Sequence, residues 1–170
     1  TRLPISVWVR LLRHLEAFLV EKRIDEQPLL QFFHRQLAEV ASERYYAGTK
    51  SALHGALAAY FDKPVDPAAT EMSSRRSDAK HTRRSLSELP FQLFYAGARS
   101  RLDKILTAPA WMQQKLNAFG PQSLAADYER FGSSETHALI GKTLRLTAPI
   151  LERDQRQLLP QLLGRLMTFK

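Results

Sequence analysis

The sequence predicts a mainly α-helical protein with one small β-hairpin near its start. Three observations carry that expectation. Apolar side chains recur at helical spacing from Phe91 to Leu166. Two short apolar runs flank a charged turn at residues 23–27. Between these regions lies a polar stretch, 63–84, whose larger apolar side chains are Val65 and Met72.

The elements follow in order. Residues 7–18 place Val7, Leu11, Leu12, Leu15 and Phe18 near helical spacing, with Pro4 at the entry, where a proline is tolerated. Phe18–Lys22, a polar turn at Arg23–Gln27, and Leu29–Phe33 read as the hairpin. From His34, Leu37, Val40, Ala41, Arg44 and Tyr45 alternate with Gln36, Glu39 and Glu43, an amphipathic helix that Gly48 ends. Helix, hairpin, helix is the closing half of a winged-helix domain, expected over 1–48. The opening helices of such a domain do not precede it, so the chain is expected to start inside one.

A connecting helix over 49–62 carries Leu53, Leu57, Tyr60 and Phe61 on one stripe, and Pro64 and Pro67 stop it. Residues 63–84 are rich in Pro, Ser, Ala and charge, too poor in apolar surface to repay the entropy of ordering, and read as a flexible linker. The basic run Arg75, Arg76, Lys80, Arg83 and Arg84 is read as a solvated loop within it.

Residues 85–170 are expected to form an antiparallel helical bundle or a repeat-like helical segment. Ser85 and Glu88 have capping-box spacing. Phe91, Phe94, Tyr95 and Ala98 form the first stripe, and Leu102, Ile105 and Leu106 the second, before Pro109. Trp111, Met112, Leu116 and Phe119 form a third, closed by Gly120-Pro121; Leu124, Ala125, Tyr128 and Phe131 form a fourth, ended by Gly132. A long helix from about Glu135 bears Leu139, Ile140, Leu144 and Leu151, with Pro149 expected to kink or shorten it. A last helix carries Leu158, Leu159, Leu162, Leu163 and Leu166.

Composition narrows the function. The chain has 170 residues, 44% of them hydrophobic, and no cysteine, which excludes disulfides and thiol nucleophiles. No apolar run approaches the roughly 18 residues needed to span a bilayer, and the start does not read as a signal peptide, so the cytoplasm is the expected compartment. Net charge is +8, a balance compatible with nucleic acid or anionic surfaces. Phosphate-binding glycine loops, paired-cysteine metal motifs and nucleophile elbows are all missing from the sequence, and no enzyme is expected. Glu21, Asp25 and Glu26 are read as a solvated turn rather than a metal site, and His14 and His54 as packing residues. Asp127 and Glu129 sit two apart on a helix and point to different sides, against a paired acid–base site.

Four phrases occur in order: Phe33-His34-Arg35-Gln36-Leu37-Ala38-Glu39-Val40, Leu86-Ser87-Glu88-Leu89-Pro90-Phe91, Leu124-Ala125-Ala126-Asp127-Tyr128-Glu129 and Leu158-Leu159-Pro160-Gln161-Leu162-Leu163-Gly164-Arg165-Leu166. Together they resemble the connector region of STAND ATPases of the NACHT–WD-repeat type, between the nucleotide-binding module and the sensor propeller. The resemblance implies a non-catalytic relay whose partners are the nucleotide-binding and WD-repeat domains of one parent protein. ADP would hold a closed form of that parent and ATP would support oligomerisation, with no cofactor bound by this chain alone. It also implies a role for His34, since the winged helix of such ATPases contributes a histidine that touches bound ADP. Arg35 stands where those proteins carry an aspartate. A structural role for His34, in capping or at an interface, is the competing reading. A second functional class stays open as well: a basic winged helix laying residues 7–18 in the DNA major groove with Lys22 and Arg23 in its wing.

Overall fold

The computed structural model describes residues 4–24, 27–63 and 82–167. The chain divides into two compact units, Thr1–Thr49 and Lys50–Lys170. The expected mainly helical architecture with one hairpin is what the structure shows.

In the first unit, helix α1 (Ile5–Leu15) enters after Pro4 and passes through a 3-10 turn, Glu16–Phe18, into strand β1 (Leu19–Ile24). Strand β2 (Gln27–Phe32) pairs with it antiparallel, from Leu19 opposite Phe32 to Ile24 opposite Gln27. One more bond, Phe33 N–H to the Phe18 carbonyl at 2.8 Å, closes the ladder before helix α2 (Arg35–Tyr46). None of the described residues of this unit is fully buried; Leu12, Leu15, Leu19, Phe32 and Leu37 are half-covered. Of the acids around the hairpin turn, Glu21 lies 3.9 Å from Arg23, while Asp25 and Glu26 fall outside the described residues.

The second unit holds helices α3 (Lys50–Phe61), α4 (Arg83–Tyr95), α5 (Arg99–Leu106), α6 (Pro109–Phe131), α7 (Glu135–Arg153) and α8 (Leu158–Leu166), with a 3-10 turn, Gln155–Gln157, ahead of the last. Nine leucines form the centre of its core: 89 and 93 of α4, 102 and 106 of α5, 116 and 124 of α6, 144 and 151 of α7, and 158 of α8, all essentially inaccessible. Burying each stabilises the unit by roughly 1.5–3 kcal/mol before the entropy of ordering is counted. Helix α4 ends in a left-handed glycine cap. Gly97 has φ 72°, its N–H reaches the Phe94 carbonyl, and Ala98 N–H reaches the Leu93 carbonyl at 3.0 Å, the two bonds of a Schellman motif.

Five expectations are corrected. On α3 the buried side chains are Ala58 and Phe61, while Leu53, Leu57 and Tyr60 face outward. On α4 the buried stripe is Leu86, Leu89 and Leu93, and Phe91 and Tyr95 lie outside it. The cap of α4 is Thr82, whose hydroxyl accepts from Ser85 N–H at 3.0 Å; Ser85 is a buried residue inside the helix and donates to the Phe61 carbonyl at 2.7 Å. Arg83 and Arg84 therefore belong to a helix rather than to a loop, and the linker expected over 63–84 falls mainly on residues 64–81, outside the described residues. Finally, α7 continues through Pro149 to Arg153. Pro149 sits on the exposed side, where the Arg145 carbonyl it deprives of a donor can meet water.

Candidate functional site

The sequence-predicted site residue, His34, stands where β2 gives way to α2. Its backbone is extended (φ −94°, ψ 128°), and its carbonyl accepts from Leu37 N–H at 3.1 Å and Ala38 N–H at 3.4 Å, which starts the helix. The imidazole makes no capping hydrogen bond; it is exposed and rests edge-on against Phe33, ring centroids 4.8 Å apart. Arg35 turns back along the helix to Glu39, Nε to Oε1 2.6 Å. His34 thus projects from a helix N-terminus, a position whose backbone dipole favours an anion.

Two of the other histidines, His54 and His137, have structural contacts. His54 Nδ1 lies 2.7 Å from Gln92 Oε1 and packs α3 on α4. His14 is exposed on α1, and His81 lies outside the described residues. His137, missed by the sequence reading, is buried at the start of α7: its Nδ1 accepts from Ser133 N–H at 3.2 Å and lies 3.9 Å from Asp103 Oδ1, while Ser134 caps the helix by accepting from His137 N–H.

Also missed was a buried polar hub around a bend in α6. Gly120, at φ 80° and ψ 175°, breaks that helix before Pro121 and frees carbonyls of the preceding turn. Side chains from other elements take them. Arg83 donates to the Ala118 carbonyl at 2.8 Å, and Gln155 Nε2 lies 3.4 Å from the Leu116 carbonyl. Pro90, inside α4, leaves the Leu86 carbonyl without its helical donor. Lys115 of α6 supplies one: Nζ donates to that oxygen at 3.0 Å and lies 3.1 Å from Asp127 Oδ2 beyond the bend. Lys115 and Asp127 are both buried, and the ammonium also sits 4.8 Å from the centroid of Phe119. A cation so placed holds α4 and both halves of α6 in one arrangement, since any of them moving away strands a buried charge.

Next to it, the buried Tyr128 hydroxyl donates to the Leu106 carbonyl. Burial, with the Asp127 charge beside it, pushes the phenol well above the ordinary tyrosine range. The carboxylates of Asp127 and Glu129 diverge as expected: Asp127 meets Lys115, and Glu129 pairs with Arg145. Among the described residues no three His, Cys, Asp or Glu side chains gather as a metal site, and no helix is long and apolar enough to cross a membrane.

No family model and no solved structure matches the chain. Two curated proteins do. NACHT domain- and WD repeat-containing protein 1 of Homo sapiens is 29% identical over 199 residues, taking in 99% of this chain and 12% of that protein. The protein of the same name from Mus musculus matches equally, 29% over the same span. The chain is therefore similar over nearly its whole length to a NACHT- and WD-repeat-containing protein, and it spans 12% of that relative's length.

Proposed function

We propose that this chain is a non-catalytic relay segment of a NACHT-type signalling ATPase, passing the nucleotide state of one domain to a WD-repeat sensor through protein contacts. The observation that carries the reading is the match along 99% of the chain to a protein named for both a NACHT domain and WD repeats. The structure supplies a suitable build. A helix–hairpin–helix unit, read as the end of a winged helix, precedes a helical unit whose buried hub lets a shift at one helix be felt at others. Within the parent, the partners are its nucleotide-binding and WD-repeat domains, the compartment is the cytoplasm, and activation proceeds by oligomerisation.

His34 is the residue assigned to the nucleotide. Its imidazole is exposed at the N-terminus of α2, where a phosphate oxygen meets both ring and backbone N–H groups. The phosphate loop lies in another domain, so the isolated chain is expected to bind ATP and ADP poorly. In the full-length parent, His34→Ala should weaken the ADP-held closed form by about 1–3 kcal/mol, the range for a charge-assisted bond. Nucleotide exchange and trigger-independent oligomerisation are the readouts. If both stay unchanged in a folded variant, the sensor role is wrong.

Charge distribution speaks against the DNA-reading alternative. Residues 4–49, which would form the reader, hold six Lys/Arg and six Asp/Glu, while residues 82–167 hold twelve against seven. The excess positive charge lies outside the unit that would lie along the phosphates.

A further inference from the structure

Helices α3 and α4 pack antiparallel, and three contacts fix their register. Ser51 Oγ donates to the Ala96 carbonyl at 2.9 Å, His54 meets Gln92, and Ser85 Oγ reaches the Phe61 carbonyl. With these residues on the seam, Leu89 and Leu93 turn to the core. Helical spacing then places Leu53, Leu57 and Tyr60 of α3 beside Phe91 and Tyr95 of α4 on the opposite, outer side. All five are exposed, from 37% for Phe91 to 66% for Tyr60. The rings form a continuous layer: Phe91 and Tyr95 centroids are 4.6 Å apart, His54 lies 5.3 Å from Tyr95, and Phe91 is 6.4 Å from Phe131. Scattered exposed leucines need no explanation, but five large apolar side chains on one two-helix face mark a contact surface.

Its border is basic. The guanidinium of Arg84 lies 6.0 Å from the Phe61 ring, that of Arg99 4.2 Å from Phe94, and that of Arg130 5.9 Å from Phe131. All three arginines are exposed, and among the described residues none forms a salt bridge. Held against rings, they lose less freedom on meeting a carboxylate, and each offers a planar fork that fits one. The acid at the seam, Glu88, is engaged by Gln92 Nε2 at 2.9 Å.

We propose that the outer face of α3 and α4 docks an acidic amphipathic helix from another polypeptide segment. The apolar stripe of that helix would cover Leu57, Phe91 and Tyr95, and its flanking carboxylates would reach Arg84, Arg99 and Arg130. A nucleic acid strand fits less well. Bases could stack on Phe91 and Tyr95 but would leave Leu53 and Leu57 uncovered, whereas the apolar stripe of a helix covers leucines and rings together. The inference rests on this face alone and stands or falls apart from the relay reading.

The test uses the whole chain and a fluorescent 20-residue helical peptide with leucines at i, i+3, i+4 and i+7 flanked by glutamates. Controls are the same peptide with lysine for glutamate, and a 20-nucleotide thymidine strand. Anisotropy should show saturable binding of the glutamate peptide that weakens with salt. Leu57→Asp, and separately the double variant Arg84→Glu with Arg130→Glu, should each lower its affinity at least tenfold with unchanged thermal melting. The proposal is overturned if the lysine peptide binds as well, if the thymidine strand displaces the glutamate peptide, or if neither variant changes binding. It is also overturned if sedimentation shows a dimer that Leu57→Asp dissolves, since the occupant is then a second copy.

Discussion

Replacing Lys115 by methionine tests whether the buried hub holds the second unit together. The substitution keeps an unbranched, flexible side chain one atom shorter and removes the ammonium. Two groups lose a partner: the Asp127 carboxylate, 3.1 Å away, and the Leu86 carbonyl, 3.0 Å away. Removing one member of a buried ion pair costs about 3–5 kcal/mol. A buried carbonyl left without a donor costs about 1–3 kcal/mol, so it forms a separable part of the loss. For a unit of this size the combined loss lowers Tm by on the order of 10–20 °C. A second substitution separates the parts. Lys115→Met with Asp127→Leu removes the stranded charge and leaves the carbonyl, so roughly 1–3 kcal/mol should persist. Adding Pro90→Ala gives α4 back the N–H that Leu86 lacks and should recover most of what remains, less about 0.4–1 kcal/mol for the looser unfolded chain. Differential scanning calorimetry of the three variants gives the order directly. If Lys115→Met shifts Tm by less than about 3 °C, or if Pro90→Ala recovers nothing in the double variant, the hub does not work as described.

Gly120→Ala should cost about 1–3 kcal/mol through backbone strain alone, because a Cβ there meets nothing within 4 Å while φ is +80°; a neutral result in urea melts would mean the bend relaxes without penalty. Thr82→Ala should lose about 1 kcal/mol as a helix cap, and Ser85→Ala a similar or larger amount through the buried Phe61 carbonyl; a loss at Ser85 but none at Thr82 would refute the cap assignment. Tyr128 has a raised folded-state pKa, so its contribution is complete below pH 10 and declines as pH rises past 10, where the unfolded chain ionises first. Tyr128→Phe should therefore be less stable than the parent at pH 7 by about 1 kcal/mol, with the difference shrinking between pH 10 and 11; a constant difference in urea melts across that window would contradict the burial of the phenol.

The period of the helices is legible in the sequence, but their phase is not. Helix α4 shows why. Leu86, Leu89 and Leu93 share it with Phe91, Phe94 and Tyr95, two apolar stripes at the same spacing. Period alone cannot say which faces the core, and larger rings suggest the wrong one. The structure puts the leucines inward because the seam with α3 is polar, Ser85 and Gln92 meeting Phe61 and His54, and that seam fixes the rotation. The same rotation turns Leu53 and Leu57 of α3 outward. The α4 cap was ambiguous for a related reason: Thr82, Ser85 and Ser87 are all cap-formers within six residues, and only the buried bond from Ser85 to Phe61 decides among them. The hub was hidden by distance, since Lys115 and Asp127 are twelve residues apart and meet only across the Gly120 bend. A signal for it did exist. A proline inside a helix, Pro90, obliges some other group to donate to Leu86, and Lys115 is the charged residue of a stretch holding Trp111, Met112, Leu116 and Phe119. The sequence pattern placed His34 correctly at the start of a helix. Its ring is exposed there and rests against Phe33, a contact between chain neighbours that the apolar-strand-then-helix pattern already places side by side.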